Sequence, residues 1–389
     1  MKYLVFVFDG LAEFPENETP LSTAKKPNID WLSSKGKVFR LSLIEKEMWN
    51  EETRASVSHI ANTSFLGYDP RRFLNKRGIL EAISAEIKYK NGWLAIRCDF
   101  GTIKNGIIVD RRAGRNTYGL DKLAEDINKK VKIGVDFEFK RTYGHRAVLV
   151  IKKKLSDKIQ LNDPLSSYLP PKEILPLNKN AEETVKIVKE FLDKVSSLLE
   201  KHEINKKRIK IGLQPANYLL LREAGNRIVF FKPIFTKKYK VKAVVISETG
   251  VMKATCMLAG FDSVNIPENI DYSKGIKFIF EKIEELIQEY DFIYSHIKWT
   301  DEAAHDKNFE RKKKIIEEFD KYLESYRNFE GKIVITTDHI TSCKTGKHEL
   351  GEVPLLLYPN KDGNRKFDEL SAKKSKKLKP KELWKIVFS

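Results

Sequence analysis

Residues Tyr3–Phe8 form an unbroken apolar run that stops at Asp9-Gly10. A run of this kind suits a strand covered on both faces, and such strands belong to α/β sheets shielded by helices on each side. Its carboxyl end would deliver Asp9 into the crevice where open α/β sheets bind their ligands. The theme returns late in the chain. Lys242–Ile246, Phe292–His296 and Lys332–Thr336 are short β-rich runs, with helical patterns over Gly275–Gln288 and Lys307–Tyr326 between them. The alternation predicts a mainly parallel sheet flanked by helices.

The middle of the chain reads differently. Trp93–Cys98, Gly106–Asp110, Val135–Phe139 and His145–Ile151 have strand character, Asp121–Lys130 and Ala181–His202 are helical, and Leu169–Pro176 is a proline-rich surface loop. The expectation is a first domain made of residues 1–78 and 237–389, interrupted by an inserted α+β domain at 79–236. A chain of 389 residues with 41% hydrophobic content can bury two cores.

The net charge of +18 suits nucleic-acid binding, but it equally suits steering a small multiply charged anion into a cleft. The basic residues are scattered over helical faces, apart from a cluster at Lys373–Lys381, and no zinc-finger spacing or RNA-recognition signature is present. Nucleic acid is therefore not the expected partner. Cys98, Cys256 and Cys343 are far apart and form no Cys-x-x-Cys pair, which fits a reduced setting. No apolar stretch reaches membrane-spanning length, and Tyr3–Phe8 is too short for a signal-peptide core. A cytoplasmic protein is expected.

Two segments carry metal-ligating residue types at strand ends. In His296-Ile297-Lys298-Trp299-Thr300-Asp301-Glu302-Ala303-Ala304-His305, a helical turn would put Asp301 and His305 on one side at i and i+4, able to share an ion; a capped helix start explains the same residues. Thr337-Asp338-His339 follows an apolar strand, where an acid and an imidazole side by side can address two ions or simply begin a turn. His348 lies nine residues further on, in a loop pattern. Mixed carboxylate and imidazole donors suit borderline divalent ions, and a pair of ions is a common clamp for phosphoryl transfer. A nucleophile would come from Arg54-Ala55-Ser56-Val57-Ser58-His59, where a serine at a helix N-terminus is either activated or an ordinary cap.

These residues, with Leu66-Gly67-Tyr68-Asp69-Pro70, Arg77-Gly78-Ile79-Leu80-Glu81-Ala82, Asp110-Arg111-Arg112-Ala113-Gly114-Arg115, His145-Arg146 and Pro215-Ala216-Asn217, follow in order a pattern that resembles the archaeal cofactor-independent phosphoglycerate mutases of the alkaline phosphatase superfamily. The resemblance runs along nearly the whole chain. It implies an alkaline-phosphatase-like α/β fold and two divalent metal ions, drawn from Mn2+, Zn2+, Co2+ or Mg2+, with no need for 2,3-bisphosphoglycerate. It implies that Asp301, His305 and His348 hold one ion, and that Asp9, Asp338, His339 and the nucleophilic serine hold the other. Counting back from Leu66-Gly67-Tyr68 identifies that serine as Ser58, with Ser56 the alternative register. Where relatives show Gly-Ser-Asp, this chain has Val57-Ser58-His59, and Asp99 stands where relatives tend to have Asn.

By the same resemblance the inserted domain binds the glycerate part of a small phosphoglycerate substrate, through Arg97, Asp110, Arg111, Arg115, His145 and Arg146, with Lys253 a contact to the phosphoryl group. Guanidinium forks suit carboxylate and phosphate. The reaction implied is interconversion of 3-phosphoglycerate and 2-phosphoglycerate through a phosphoserine. A metal-dependent phosphatase or another phosphotransferase on the same fold is the alternative.

Overall fold

The computed structural model describes residues 1–16, 18–55, 57–73, 76–360 and 366–389. Ser56, the alternative nucleophile, lies outside the described residues. The chain forms two compact units, one of Met1–Leu74, Phe230–Glu248 and Thr255–Ser389, the other of Asn75–Val229 and Thr249–Ala254.

The first unit is built on a sheet whose described strands run, edge to edge, Asp262–Asn265, Ala243–Ser247, Phe292–Ile297, Tyr3–Phe8, Lys332–Thr337, Val353–Tyr358, Lys37–Leu41 and Lys377–Leu378. The first five are parallel, Val353–Tyr358 is antiparallel to both its neighbours, and Lys377–Leu378 pairs parallel with Lys37–Leu41. The expected α/β fold with a mainly parallel sheet is present. Tyr3–Phe8 is central because every residue from Leu4 to Phe8 is buried, so the strand needs cover on both faces and a neighbour at each edge. One face packs Phe6 against Phe280 and Phe319, at centroid distances of 5.5 and 5.0 Å, and so welds the strand to the helices Tyr272–Leu286 and Phe309–Tyr322. Asp271 caps the first of these helices and Asn308 the second. The second ends sooner than its pattern suggests, passing into a 3-10 turn at Leu323–Tyr326.

The second unit is an antiparallel sheet in the order Ile107–Asp110, Trp93–Lys104, Arg146–Lys154, Phe137–Arg141, with Tyr218–Gly225 also paired to Trp93–Lys104. The helices Leu120–Lys130 and Glu182–Glu200 bury their apolar residues in the same core as the sheet. Trp93–Lys104 is twice the expected length because it continues past the buried Arg97 and Asp99. The expected helix Ala181–His202 stops at Glu200, where the His202 side chain accepts from Ile204 N and caps a new helix, Glu203–Lys210. Among the described residues no helix is long and apolar enough to cross a membrane.

Candidate active site

Four strands of the first unit deliver donors at their carboxyl ends. Asp9 follows Tyr3–Phe8, Asp338 and His339 follow Lys332–Thr337, Glu248 follows Ala243–Ser247, and Phe292–Ile297 contains His296 and leads into the helix Trp299–His305. The backbone ladder continues just past the strands, with Asp9 N donating to Ile297 O at 2.9 Å and Asp338 N to Phe8 O at 3.2 Å. The chain then turns at Gly10, whose φ of +57° suits glycine, and Gly10 N donates to Asp338 Oδ1 at 3.0 Å. A Cβ at Gly10 would collide with Thr341 Oγ1 and come within 2.6 Å of Asp301 Oδ1.

The expected i, i+4 pair is real. Asp301 and His305 lie on one helix, Trp299–His305, with His305 Nε2 3.3 Å from Asp301 Oδ2. His348 is not in a loop: it sits on the short strand Lys347–Glu349, opposite Thr341 in a hairpin, and its Nε2 lies 3.5 Å from Asp301 Oδ1. His339 Nε2 is 3.0 Å from Asp9 Oδ1 and 3.5 Å from Asp338 Oδ1.

The three imidazoles share one arrangement. His305 Nδ1 donates to Gly346 O at 2.8 Å and His348 Nδ1 to Arg54 O at 2.6 Å; a carbonyl can only accept, so each Nδ1 carries the proton. Thr341 Oγ1 donates to Asp301 Oδ1 at 2.7 Å and therefore accepts from His339 Nδ1 at 3.1 Å. In all three Nε2 faces the carboxylates. Among the described residues, donor atoms within 4.8 Å of one another occur in three groups: Asp301 with His339 and His348, Asp9 with Asp338 and His339, and Asp9 with Glu248 and His296.

Ser58 stands in the first turn of the helix Val57–Phe65, with Oγ 3.4 Å from His339 Nε2. Asn62, one turn on, ties this helix to the donor cluster. Its Nδ2 donates to Ser58 O at 2.8 Å and to Asp338 Oδ2 at 2.9 Å, and its Oδ1 accepts from Tyr294 OH at 2.9 Å. His59, the unusual neighbour of Ser58, is buried.

The electrostatics are those of carboxylates crowded in low dielectric. Burial, then Asp338 and Asp301, raise Asp9 to about 6. Burial opposes the charged form of His339, but Asp338 and Asp9 overcome it and raise the imidazole to about 9. Asp301 resists burial through His305 and His348, which hold it well below the usual carboxylate range.

In the second unit a buried cluster of opposite charges is centred on Asp99. Arg97 Nη2 and Arg222 Nη2 each lie 3.2 Å from its oxygens, and His145 Nε2 lies 3.8 Å away. Against burial, Arg97 and Arg222 hold Asp99 well below its ordinary value, while burial pushes His145 down to about 3. Arg97 Nη1 is buried without a hydrogen bond. Arg111 is engaged bidentately by Asp163, at 2.9 and 2.5 Å. Asp110 accepts from Arg112 N and Gly114 N and so shapes the turn that carries Arg115, which is exposed. Arg146 stands opposite Asp99 in the strand register, and the buried Lys253 donates to Glu86 at 2.6 Å. Arg222 and Asp163 complete the cluster without any motif to announce them. Glu248, by contrast, obeys the strand-end rule that picks out Asp9.

Fold and donor set together define a class, an α/β protein with a carboxylate–imidazole centre at the carboxyl edge of a mainly parallel sheet. Residues 50–205 match the family model described as 2,3-bisphosphoglycerate-independent phosphoglycerate mutase. Relatives of that name include one from Thermococcus kodakarensis, 36% identical over 371 residues that cover 92% of this chain and 88% of the relative. Another, from Pyrococcus horikoshii, is 35% identical over 388 residues, covering 96% and 92%. Among solved structures, a cofactor-independent phosphoglycerate mutase from Thermoplasma acidophilum superposes with a TM-score of 0.63 at 30% identity, covering 100% of this chain and 99% of that one. A Pyrococcus horikoshii protein superposes with a TM-score of 0.77 at 27% identity, covering 99% and 96%. The chain belongs to the 2,3-bisphosphoglycerate-independent phosphoglycerate mutase family, whose members are isomerases.

Proposed function

We propose that this chain interconverts 3-phosphoglycerate and 2-phosphoglycerate by passing the phosphoryl group through Ser58, at a centre that holds two divalent ions. The observation that carries the reading is the shared posture of His305, His339 and His348, each with Nδ1–H spent on an oxygen and Nε2 turned inward. Metal-ligating histidines are oriented in this way. The buried His348 Nε2 and Asp9 Oδ1, neither of which makes a hydrogen bond, also fit ligation. Asp301, His305 and His348 would hold one ion, and Asp9, Asp338, His339 and Ser58 the other. Imidazole donors favour Mn2+, Zn2+ or Co2+ over Mg2+. Ions bound there would neutralise the phosphoryl oxygens and lower the pKa of the serine hydroxyl.

The chain's own residues supply the rest. The Ser58–Asn62–Asp338 linkage holds Oγ beside His339. In the first half-reaction Ser58 Oγ bonds to phosphorus as the bond from phosphorus to the glycerate 3-oxygen breaks; the proton lost by the serine is balanced by the one gained at that oxygen. In the second, the glycerate 2-oxygen bonds to phosphorus, the phosphoserine bond breaks and the proton returns to Ser58. The glycerate is assigned to the basic residues of the second unit, where the hydrogen-bond capacity left on Arg97 supports anion binding. Arg111, Arg115, His145, Arg146 and Asp110 contribute through charge and loop shape, and Lys253 would bind phosphate only on leaving Glu86.

We divide the chain into a metal-binding domain of residues 1–78 and 237–389 and an inserted domain of 79–236, a reading supported by two compact units whose limits are nearby except that Thr249–Ala254 groups with the second unit. Buried, unpaired Cys98, Cys256 and Cys343 support a cytoplasmic setting. The test is 31P NMR of purified protein with Mn2+ and 3-phosphoglycerate. 2-Phosphoglycerate should accumulate to equilibrium, and Ser58→Ala should lower kcat by roughly 10⁴-fold or more. Free phosphate without 2-phosphoglycerate would make the protein a phosphatase.

A further inference from the structure

We propose that Arg208 is a positioning residue for substrate binding: it fixes the shape of the turn that carries Arg111, Arg112 and Arg115, and so sets the grip on the glycerate without touching it. The inference rests on the assignment of the glycerate to the second unit. Arg208 is 0% exposed, and its guanidinium is spent on backbone carbonyls. Nε donates to Gln214 O at 2.8 Å, Nη1 to Tyr118 O at 2.7 Å and to Asn116 O at 3.2 Å, and Nη2 to Ala113 O at 2.8 Å. Among the described residues no carboxylate offsets its charge, so burial alone pushes its pKa down.

The turn adopts a shape that its residues do not favour. Ala113, Gly114 and Arg115 have φ of +44°, +71° and +54°, so two residues with side chains are left-handed alongside the glycine. Asp110 takes amides of the turn, accepting from Arg112 N at 2.7 Å and Gly114 N at 2.8 Å, and Arg208 takes its carbonyls. Like charges also crowd there. Burial, then Arg115, Arg146 and Arg111, lower Arg112 to about 10, and repulsion of this kind would spread a turn that was not clamped. The helix Glu203–Lys210 gives Arg208 a firm base: Asn205 Nδ2 donates to Leu199 O at 2.7 Å and to Ala216 O at 3.0 Å, while its Oδ1 accepts from Ala216 N at 2.8 Å. A buried guanidinium without a counter-charge is a costly source of stability, since apolar side chains of similar volume serve that end as well or better. What it supplies is shape, because its planar five-donor fork can hold several carbonyls in fixed directions.

Arg208→Lys keeps the charge and gives up the fork. Assayed with Mn2+ and 3-phosphoglycerate, it should raise KM by roughly 10–100-fold. Its kcat should stay within about threefold of wild type, with apparent Mn2+ affinity unchanged, whereas general damage to the fold would lower all of these together. Melting curves establish that the variant folds. Should Arg208→Lys alone not fold at the assay temperature, the substitution is compared in an Ala113→Gly parent, which relieves one strained position, and KM should again rise above that of the parent. A KM equal to the parent's in a folded variant overturns the inference, as does a fall in kcat and Mn2+ affinity with KM unmoved. Failure of the mutase reading looks different, as wild-type protein that makes no 2-phosphoglycerate. Calorimetric titration with 3-phosphoglycerate then still reports on the turn, and equal Kd values for wild type and Arg208→Lys would overturn the role of Arg208.

Discussion

Thr341 Oγ1 donates to Asp301 Oδ1 at 2.7 Å while it receives the Nδ1–H of His339 at 3.1 Å, so one hydroxyl joins ligands assigned to different ions. Its backbone carbonyl is held in turn by the buried Lys312, at 2.8 Å. Thr341→Val keeps the shape and removes both bonds. We expect apparent Mn2+ affinity to fall by roughly 10–100-fold, and Thr341→Ser to restore most of it. Activity titrated against Mn2+ for the three proteins decides this; equal affinities for Val and Ser would leave Thr341 with packing alone.

Gly10 is a steric requirement of the same centre. Gly10→Ala would place a methyl group against Thr341 Oγ1 and Asp301 Oδ1 at a positive φ. The expected result is a folded protein destabilised by roughly 2 kcal/mol with less than stoichiometric metal. Urea denaturation and elemental analysis measure the two effects. Wild-type metal content in Gly10→Ala would refute the clash.

Asp99 neutralises Arg97 and Arg222 inside the second unit. Asp99→Asn removes the nearest counter-charge of buried Arg97 and leaves Arg222 only its longer contact to Asp163, 3.5 Å, and should cost about 3 kcal/mol of stability. Phosphate or 3-phosphoglycerate should return part of that loss by occupying the cation cluster. Thermal melts with and without these anions report it, and an anion effect no larger than in wild type would argue that the cluster is closed to ligands.

Glu369 gives the pH dependence a definite sign. Its oxygens accept from Thr19 Oγ1 at 2.7 Å and from Glu13 N at 3.1 Å, but burial prevails and raises the carboxyl from 4.5 to about 7. The folded state therefore binds this proton more tightly than the unfolded chain. Its stabilising contribution is complete below pH 4.5 and is lost as pH rises through about 7, a difference of about 3 kcal/mol. Glu369→Gln should flatten the fall in stability between about pH 5 and 8 relative to wild type. Parallel slopes for the two proteins would place the titration elsewhere.

What the sequence reveals here depends on how local the governing physics is. Tyr3–Phe8 declares itself because six apolar residues ending in Asp9 have few other uses, and the spacing of Asp301 and His305 is itself the geometry of one helical turn. Thr341 and His348 become partners only through a hairpin register, which no spacing encodes. Tyr218–Gly225 is hard to assign because Leu219–Leu221 followed by Arg222 and Glu223 suits a helix as well as a strand; pairing with Trp93–Lys104 decides it. Buried charge is the least legible. Arg97 and Asp99 alternate as a solvated strand face would, and only Arg222 from a distant strand accounts for their burial.

The central position of the first strand has a consequence for how the chain is made. Tyr3–Phe8 leaves the ribosome long before both its hydrogen-bonding neighbours, Phe292–Ile297 and Lys332–Thr337, which lie about 290 and 330 residues further along the chain. At about 5–20 residues per second it waits roughly 15–60 s, an apolar segment with two open edges. Meanwhile the strands from Trp93 to Gly225 can pair among themselves. Nascent chains stalled before residue 292 should therefore be the species that chaperones hold and proteases cut.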